Sequence, residues 1–326
     1  MRSLFAALAF ALFALSGQFA LSGAARADAF PSHSITLIVP YPPGGSTDVA
    51  GRILADKMGA VLGQPVIVEN VGGAGGSIGV SRLARSTPDG YTIDIGQWDT
   101  HVGCIIYNIN YDPRTDFAPI GLVSINPQLM TARKNFPADN LEELVAWMKA
   151  HPGEAKFINQ NASAQISGLL LQKLTKTQLL FVPYRGAGPA LTDMMAGQVD
   201  LLVAQAAVLL PQIRGGAIKA LVNLSPHRSP TVPDIPSADE EGVSGLYMPG
   251  WFGLYAPKGT PADAIGKLNA AMVQALADPG VRKRFADLGL DIAAREQQTP
   301  DALAAFTQAD IDKWWPIIKA AGIRGE

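Results

Sequence analysis

The residues best placed to do chemistry are those of the loop Tyr41-Pro42-Pro43-Gly44-Gly45-Ser46-Thr47-Asp48. The chemistry they suit is anion binding. The loop joins an apolar run, Ile35-Thr36-Leu37-Ile38-Val39, to a segment with helical spacing that begins near Ser46. A strand, a tight turn and a helix N-terminus in that order bring unpaired backbone N–H groups and the positive end of a helix dipole to one point. Gly44 and Gly45 have no Cβ, so the backbone can approach a ligand closely there. In isolation, Pro-Pro-Gly-Gly also reads as a simple turn. Asp48 either holds the loop's shape or touches the ligand, and Arg52, one turn on, is either ion-paired or a clamp.

Covalent chemistry finds little support. The run Gly72-Gly73-Ala74-Gly75-Gly76 lacks the Lys-Ser/Thr of a phosphate loop and the spacing of a dinucleotide fingerprint. Gly75-Gly76-Ser77-Ile78-Gly79 matches G-x-S-x-G, but a nucleophile elbow needs its serine directly after a strand. Six residues separate Asn70 from Ser77, which suits a helix N-cap instead. The four histidines, at 33, 101, 151 and 227, have no metal-ligand spacing. Cys104 is the only cysteine, which excludes an intrachain disulfide and a cysteine metal cluster. The sequence therefore predicts no catalytic residue, no metal and no cofactor.

The elements that must position the loop alternate between strand and helix. Strands are expected at 35–39, 66–69, 91–95, 129–132, 156–158, 179–182, 199–203 and 218–222. Helices are expected at 47–62, 77–85, 141–150 (with Asn140 as cap), 163–174, 189–195 and 208–213. Such alternation implies parallel sheet flanked by helices. After a Pro/Ser-rich loop at 225–236, a strand at 251–256 and helices at 261–276, 281–288 and 300–321 have no strands of their own, so they belong on the first sheet. The expectation is an α/β protein of two lobes, each a mainly parallel sheet flanked by helices, with a ligand cleft between them. Lobe 1 would comprise 28–126 plus 225–326, and lobe 2 would comprise 127–224.

Residues 1–27 read as a signal peptide: Met1-Arg2, an apolar run from Leu4 to Leu15, and Ala25-Arg26-Ala27 before Asp28. No cysteine follows to accept a lipid, so an exported, non-lipidated periplasmic protein is expected. A net charge of −2, with no basic run and no aromatic–basic interleaving, argues against nucleic acid as a partner.

Taken in order, the motifs Tyr41–Asp48 with Arg52, Glu69-Asn70-Val71-Gly72-Gly73-Ala74-Gly75-Gly76-Ser77-Ile78-Gly79, Asp89-Gly90-Tyr91-Thr92, Thr100-His101 and Tyr111-Asp112-Pro113 resemble the receptor family of tripartite tricarboxylate transporters, also called the Bug family. So do Val182-Pro183-Tyr184-Arg185-Gly186, Gly197-Gln198-Val199-Asp200, Ala256–Pro261 and Lys267-Leu268-Asn269, so that the resemblance runs over essentially the whole mature chain. It implies a periplasmic-binding-protein fold of type II-like character. It also implies a solute receptor, not an enzyme, that delivers a small organic acid to large and small membrane permease subunits. By the same resemblance a ligand carboxylate falls to Gly44, Gly45, Ser46 and Asp48, with Tyr41 as wall. Thr100 and His101 match the family's Thr-His pair, and Tyr184 and Arg185 its second-lobe turn. Ser163 and Gln205 are added as hydrogen-bonding groups of the second lobe. A monomer is expected.

Three stretches depart from the family pattern: Gln97-Trp98-Asp99, the glycine-free Asn159–Gln165, and Val203-Ala204-Gln205, which lacks the usual acid. All three are expected to face the cleft. Trp98 is either a core aromatic or a cleft wall, and His101 is either structural or a ligand contact. An inward-facing Asp99 would disfavour a second carboxylate, so a monocarboxylate, or an acid with a neutral polar, aromatic or amino-bearing tail, is expected over citrate. Two other functions are compatible with parts of the sequence: a sensor feeding a two-component kinase, and a periplasmic esterase.

Overall fold

The computed structural model describes residues 30–320 and 322–324. The expected signal peptide, 1–27, lies outside them. The described residues from His33 onward make one compact unit, and Phe30–Ser32 fall in another.

The first sheet is built from β1 (Ile35–Val39), β2 (Val66–Asn70), β3 (Thr92–Gln97), β4 (Phe117–Ile125), β10 (Trp251–Pro257) and β11 (Asp291–Ile292) in the order β11-β4-β10-β3-β1-β2. The second contains β5 (Gln128–Arg133), β6 (Lys156–Asn159), β7 (Leu180–Pro183), β8 (Leu201–Gln205) and β9 (Ile218–Asn223) in the order β7-β6-β8-β5-β9. The helices are α1 (Ser46–Leu62), α2 (Ser77–Ala84), the short α3 (Trp98–His101), α4 (Leu141–Ala150), α5 (Ala162–Thr175), α6 (Ala187–Met195), α7 (Ala206–Arg214), α8 (Ala262–Ala277), α9 (Pro279–Asp287) and α10 (Pro300–Ala320). Helices α8 and α10 pack on β4, and α8 also lies along α1.

Local chemistry sets the ends of these elements. Asn140 and Asn161 cap α4 and α5 by accepting from the N–H groups of Glu143 (2.8 Å) and Ala164 (3.0 Å). Gly63, in the left-handed region at φ 70°, ends α1. Ser77 is the first residue of α2 and not its cap, a position taken by Gly76 at φ 97°. A left-handed backbone is needed there, and glycine adopts it without strain.

The sheets are mixed, which corrects the expectation of mainly parallel ones. Strands β1–β2 and β1–β3 pair in parallel, as do β6–β7 and β6–β8. Strands β10 and β4 run antiparallel to their neighbours, and so do β5 and β9. The chain leaves the first sheet through β4, enters the second directly at β5 and returns into β10, so no helical crossover forces a parallel pairing there. Where the two crossing segments meet, the Asn126 N–H donates to the Gly250 carbonyl at 2.7 Å. A Cβ on Gly250 would lie 2.5 Å from the Asn126 carbonyl oxygen.

Strand β4 is not among the strands expected from sequence, although it lies inside the first sheet. Pro119 and Gly121 hide it. Both flank a bulge at which Tyr255 pairs with Pro119 and Leu254 with Gly121, skipping Ile120. The Ile120 carbonyl instead accepts from Asn269 Nδ2 at 2.7 Å.

One large apolar core spans both sheets. It contains Ile38 and Leu122 from the first, Met130, Phe157 and Val203 from the second, and Trp98 with Trp314 between. A second cluster, including Leu129, Ile158, Leu202 and Leu209, lies under α6 and α7.

Candidate functional site

The anion-binding loop is shaped from behind. Asp48 lies in the first turn of α1, is 4% exposed, and accepts from the Gly44 N–H with one oxygen (2.9 Å). Its other oxygen takes Asn70 Nδ2 and Arg52 Nη2, both at 2.9 Å, and Asn70 also donates to the Tyr41 carbonyl at 3.0 Å. Burial pushes the Asp48 carboxyl up, but the bonds from Arg52, Gly44 and Asn70 outweigh it and hold the group below the usual carboxylate range. Gly44 itself sits at φ +87°, which any other residue would adopt only with strain. No side chain caps α1, so its first-turn N–H groups are left to the cavity that Gly45, Ser46 and Thr47 line.

That cavity has a volume of about 60 Å³. At ~15 Å³ per water site it holds a few waters or the head of a small ligand. Four helices begin at it: α1 at Gly45–Thr47, α5 at Asn161, α6 at Gly186–Pro189 and α7 at Gln205–Val208. Each follows the C-terminal end of a parallel-paired strand, the place where open α/β sheets bind ligands. Among the described residues no Lys, Arg or His lines the cavity; its charged and amide side chains are Asp99 and Gln97, Gln128, Gln160, Asn161 and Gln205.

The β3 end supplies the opposite wall. Gln97 Oε1 accepts from Thr47 Oγ1 (3.1 Å) and Gln205 Nε2 (3.4 Å). Asp99 is 1% exposed. It accepts from the Ser163 N–H at 2.6 Å, at the start of α5, and its other oxygen lies 3.5 Å from Gln97 Nε2. Burial pushes its carboxyl up to about 6, against the Ser163 hydrogen bond. Gln160 donates to the Val203 carbonyl at 2.6 Å. Its Oε1 and that of Gln205 are buried with no partner.

Of the residues expected from sequence, Tyr41, Gly45, Ser46 and Gln205 line this cavity. Gly44 is in the same loop, but its N–H is taken by Asp48, and Asp48 stands behind the wall. Trp98 turns into the core, edge-on to Trp314 at 5.3 Å, because its indole fits the apolar seam between the sheets. Thr100 and His101 are fully buried supports. The Thr100 hydroxyl closes the turn on the Gln97 main chain and lies 3.0 Å from His101 Nδ1. Burial pushes the His101 imidazole down to about 3, so it is neutral, and it stacks on Tyr255 at 4.1 Å. Ser163 contributes its N–H to Asp99. Tyr184 and Arg185 line an outer groove that shares Pro42, Gln160, Asn161 and Pro189 with the cavity.

The expected site set omitted Thr47, Gln97, Asp99, Gln128, Gln160, Asn161 and the Gly186–Pro189 turn. Two of these stretches, Gln97–Asp99 and part of Asn159–Gln165, are where the sequence departs from the family pattern and where a cleft-facing position is expected. The Gly186–Pro189 turn was open to a simpler signal, since it joins a parallel strand to the next helix.

Two α/β sheets with a cavity at the converging N-termini of their helices are an architecture that suits a solute-binding protein, and the family and structural neighbours place the chain in that class and not among enzymes. The family profile described as tripartite tricarboxylate transporter family receptor matches residues 50–323, and the chain belongs to that family. Protein BugT of Bordetella pertussis is 35% identical over 303 residues, covering 91% of this chain and 92% of the relative. Among solved structures, MatC from Rhodopseudomonas palustris with bound malate is 37% identical with a TM-score of 0.84, covering 89% of this chain and 100% of MatC. The periplasmic binding protein BugD is 36% identical with a TM-score of 0.86, covering 91% of this chain and 100% of BugD.

Proposed function

We propose that the chain is a periplasmic receptor that holds a small carboxylic acid between two lobes and delivers it to the permease subunits of a tripartite tricarboxylate-type transporter. The lobes are 28–126 with 225–326, and 127–224, and export removes 1–27. The observation that carries this reading is the convergence of four helix N-termini on a cavity with no cationic side chain. Main-chain N–H donors and helix dipoles suit a carboxylate, and they avoid the desolvation cost of a buried arginine. Two features add support: membership of the receptor family, and the malate bound to the related MatC.

The test is a thermal-shift panel of mono- and dicarboxylates. An acid present at 100 times its Kd should add about 2.7 kcal/mol to stability. If no acid in the panel raises the melting temperature, the reading fails.

A further inference from the structure

We infer, resting on the receptor reading above, that Arg185 is a steering residue: it draws an acid from solution to the mouth of the cavity and does not hold it once bound. The mouth shows in the exposure of the lining. Of the residues that line the cavity, only Pro43, Gly188 and Pro189 are exposed. They belong to the β1–α1 loop and to the turn that opens α6. These two segments approach each other closely, since a Cβ on Gly186 would lie 3.6 Å from Pro42 Cδ.

Other sides of the cavity are closed by packing. Beside α3, Asp99 takes the Ser163 N–H at 2.6 Å, and a Cβ on Gly103 would lie 2.8 Å from Ala162 Cβ. At the start of α7, a Cβ on Gly289 would lie 3.2 Å from Ala206 Cβ. A solute therefore reaches the cavity between Pro42–Pro43 and Gly186–Pro189.

Arg185 immediately precedes that turn and is exposed. Among the described residues it is the only charged side chain lining the outer groove, which has a volume of about 1050 Å³ and adjoins the mouth at Pro42 and Pro189. It makes no ion pair or hydrogen bond among the described residues, and Asp193, on α6, is engaged by the Tyr184 hydroxyl at 2.7 Å. Its charge is therefore directed at solvent, and it does not line the cavity itself. A hydrated guanidinium at a rim adds little to a bound complex, because water screens it, but it raises the rate at which an anion arrives. Attraction at range thus falls to Arg185, and the grip falls to main-chain groups, with no buried cation to desolvate.

The experiment measures association and dissociation rates by NMR lineshape, on the protein's amide signals at pH 7, with whichever of butyrate, succinate and malate binds tightest. At about 20 mM salt, Arg185→Gln should lower kon about threefold and Arg185→Glu about tenfold. Both differences should shrink below about twofold at ~500 mM salt, with koff within about twofold of the parent throughout. Lys173→Glu makes the same charge change at the exposed C-terminal end of α5 and should leave kon at the parent value. An unchanged kon in folded Arg185→Glu, a loss carried by koff, or an equal loss in Lys173→Glu overturns the inference and leaves the receptor reading intact. If none of the three acids binds the parent protein, the receptor reading fails and the inference falls with it.

Discussion

At the β1–α1 end the cavity wall is a glycine-containing main-chain loop that opens helix α1, whereas at the β3–β6–β8 end it is made largely of carboxylate and amide side chains. Each end contains a buried aspartate, and the two titrate in opposite directions. Asp48 is surrounded by donors from Arg52, Gly44 and Asn70, and its carboxyl lies below the usual range. Asp99 takes its hydrogen bonds chiefly from Ser163, with no cation beside it, and burial raises it to about 6. The lesson is that a buried carboxylate's role follows from how many donors the fold already gives it. Asp48 has its charge satisfied inside the loop and acts as scaffold. Asp99 has fewer donors and no cation beside it, and it lines the cavity.

The comparison breaks most visibly at Gly45. Its φ of −80° suits any residue, and the nearest atom to an added Cβ is the Pro42 carbonyl at 3.9 Å, so Gly45→Val should fold normally. Its side chain crowds the main-chain donors, and losing two such contacts should weaken acid binding by about 2–4 kcal/mol, or ~30- to 1000-fold. Unchanged affinity by calorimetry in the folded variant would move the carboxylate elsewhere.

Next in size is the pH dependence of stability set by Asp99. Its folded pKa is raised, so the native state binds a proton that the unfolded chain has lost between the ordinary carboxylate range and about 6. Stability from this group is therefore present at low pH and declines as pH rises through that window, by about 3 kcal/mol at ~1.4 kcal/mol per unit. Urea unfolding of the ligand-free protein at pH 4 and pH 7 should show a smaller decline in Asp99→Asn than in the parent. Equal declines would contradict the burial described here.

Asp48→Asn should show the opposite sign. A carboxylate held below its unfolded pKa stabilises above that value, and the contribution is lost as pH falls through the folded pKa. The variant should lose about 1 kcal/mol at pH 7, a modest figure because Arg52 is half exposed, and should approach the parent in acid. A deficit that persists unchanged in acid would argue against the ion pair. Smallest is Gly44→Ala, where nothing crowds the added Cβ but φ is +87°, for an expected loss of ~1 kcal/mol by thermal melting.

Regular elements were legible in the sequence wherever apolar periodicity was uninterrupted, as in Ile35–Val39 and the Asn140-capped α4. Strand β4 was not, because a proline and a glycine that permit its bulge look like breakers when read alone. The main-chain end of the site was legible because glycines and a helix start announce it. The side-chain end was only partly so. Trp98 and Asp99 are adjacent, yet one enters the core and the other the cavity, and a four-residue helix gives too little periodicity to tell them apart.

The division between a main-chain wall and a side-chain wall also bears on heredity. A point mutation at Ser46 or Thr47 changes a side chain but leaves the amide N–H in place, unless it introduces proline. Asp99 and Gln205, in contrast, can each be rewritten by a single codon change. Substitution can therefore remodel the side-chain wall of the cavity while the main-chain groups of the β1–α1 loop stay where they are.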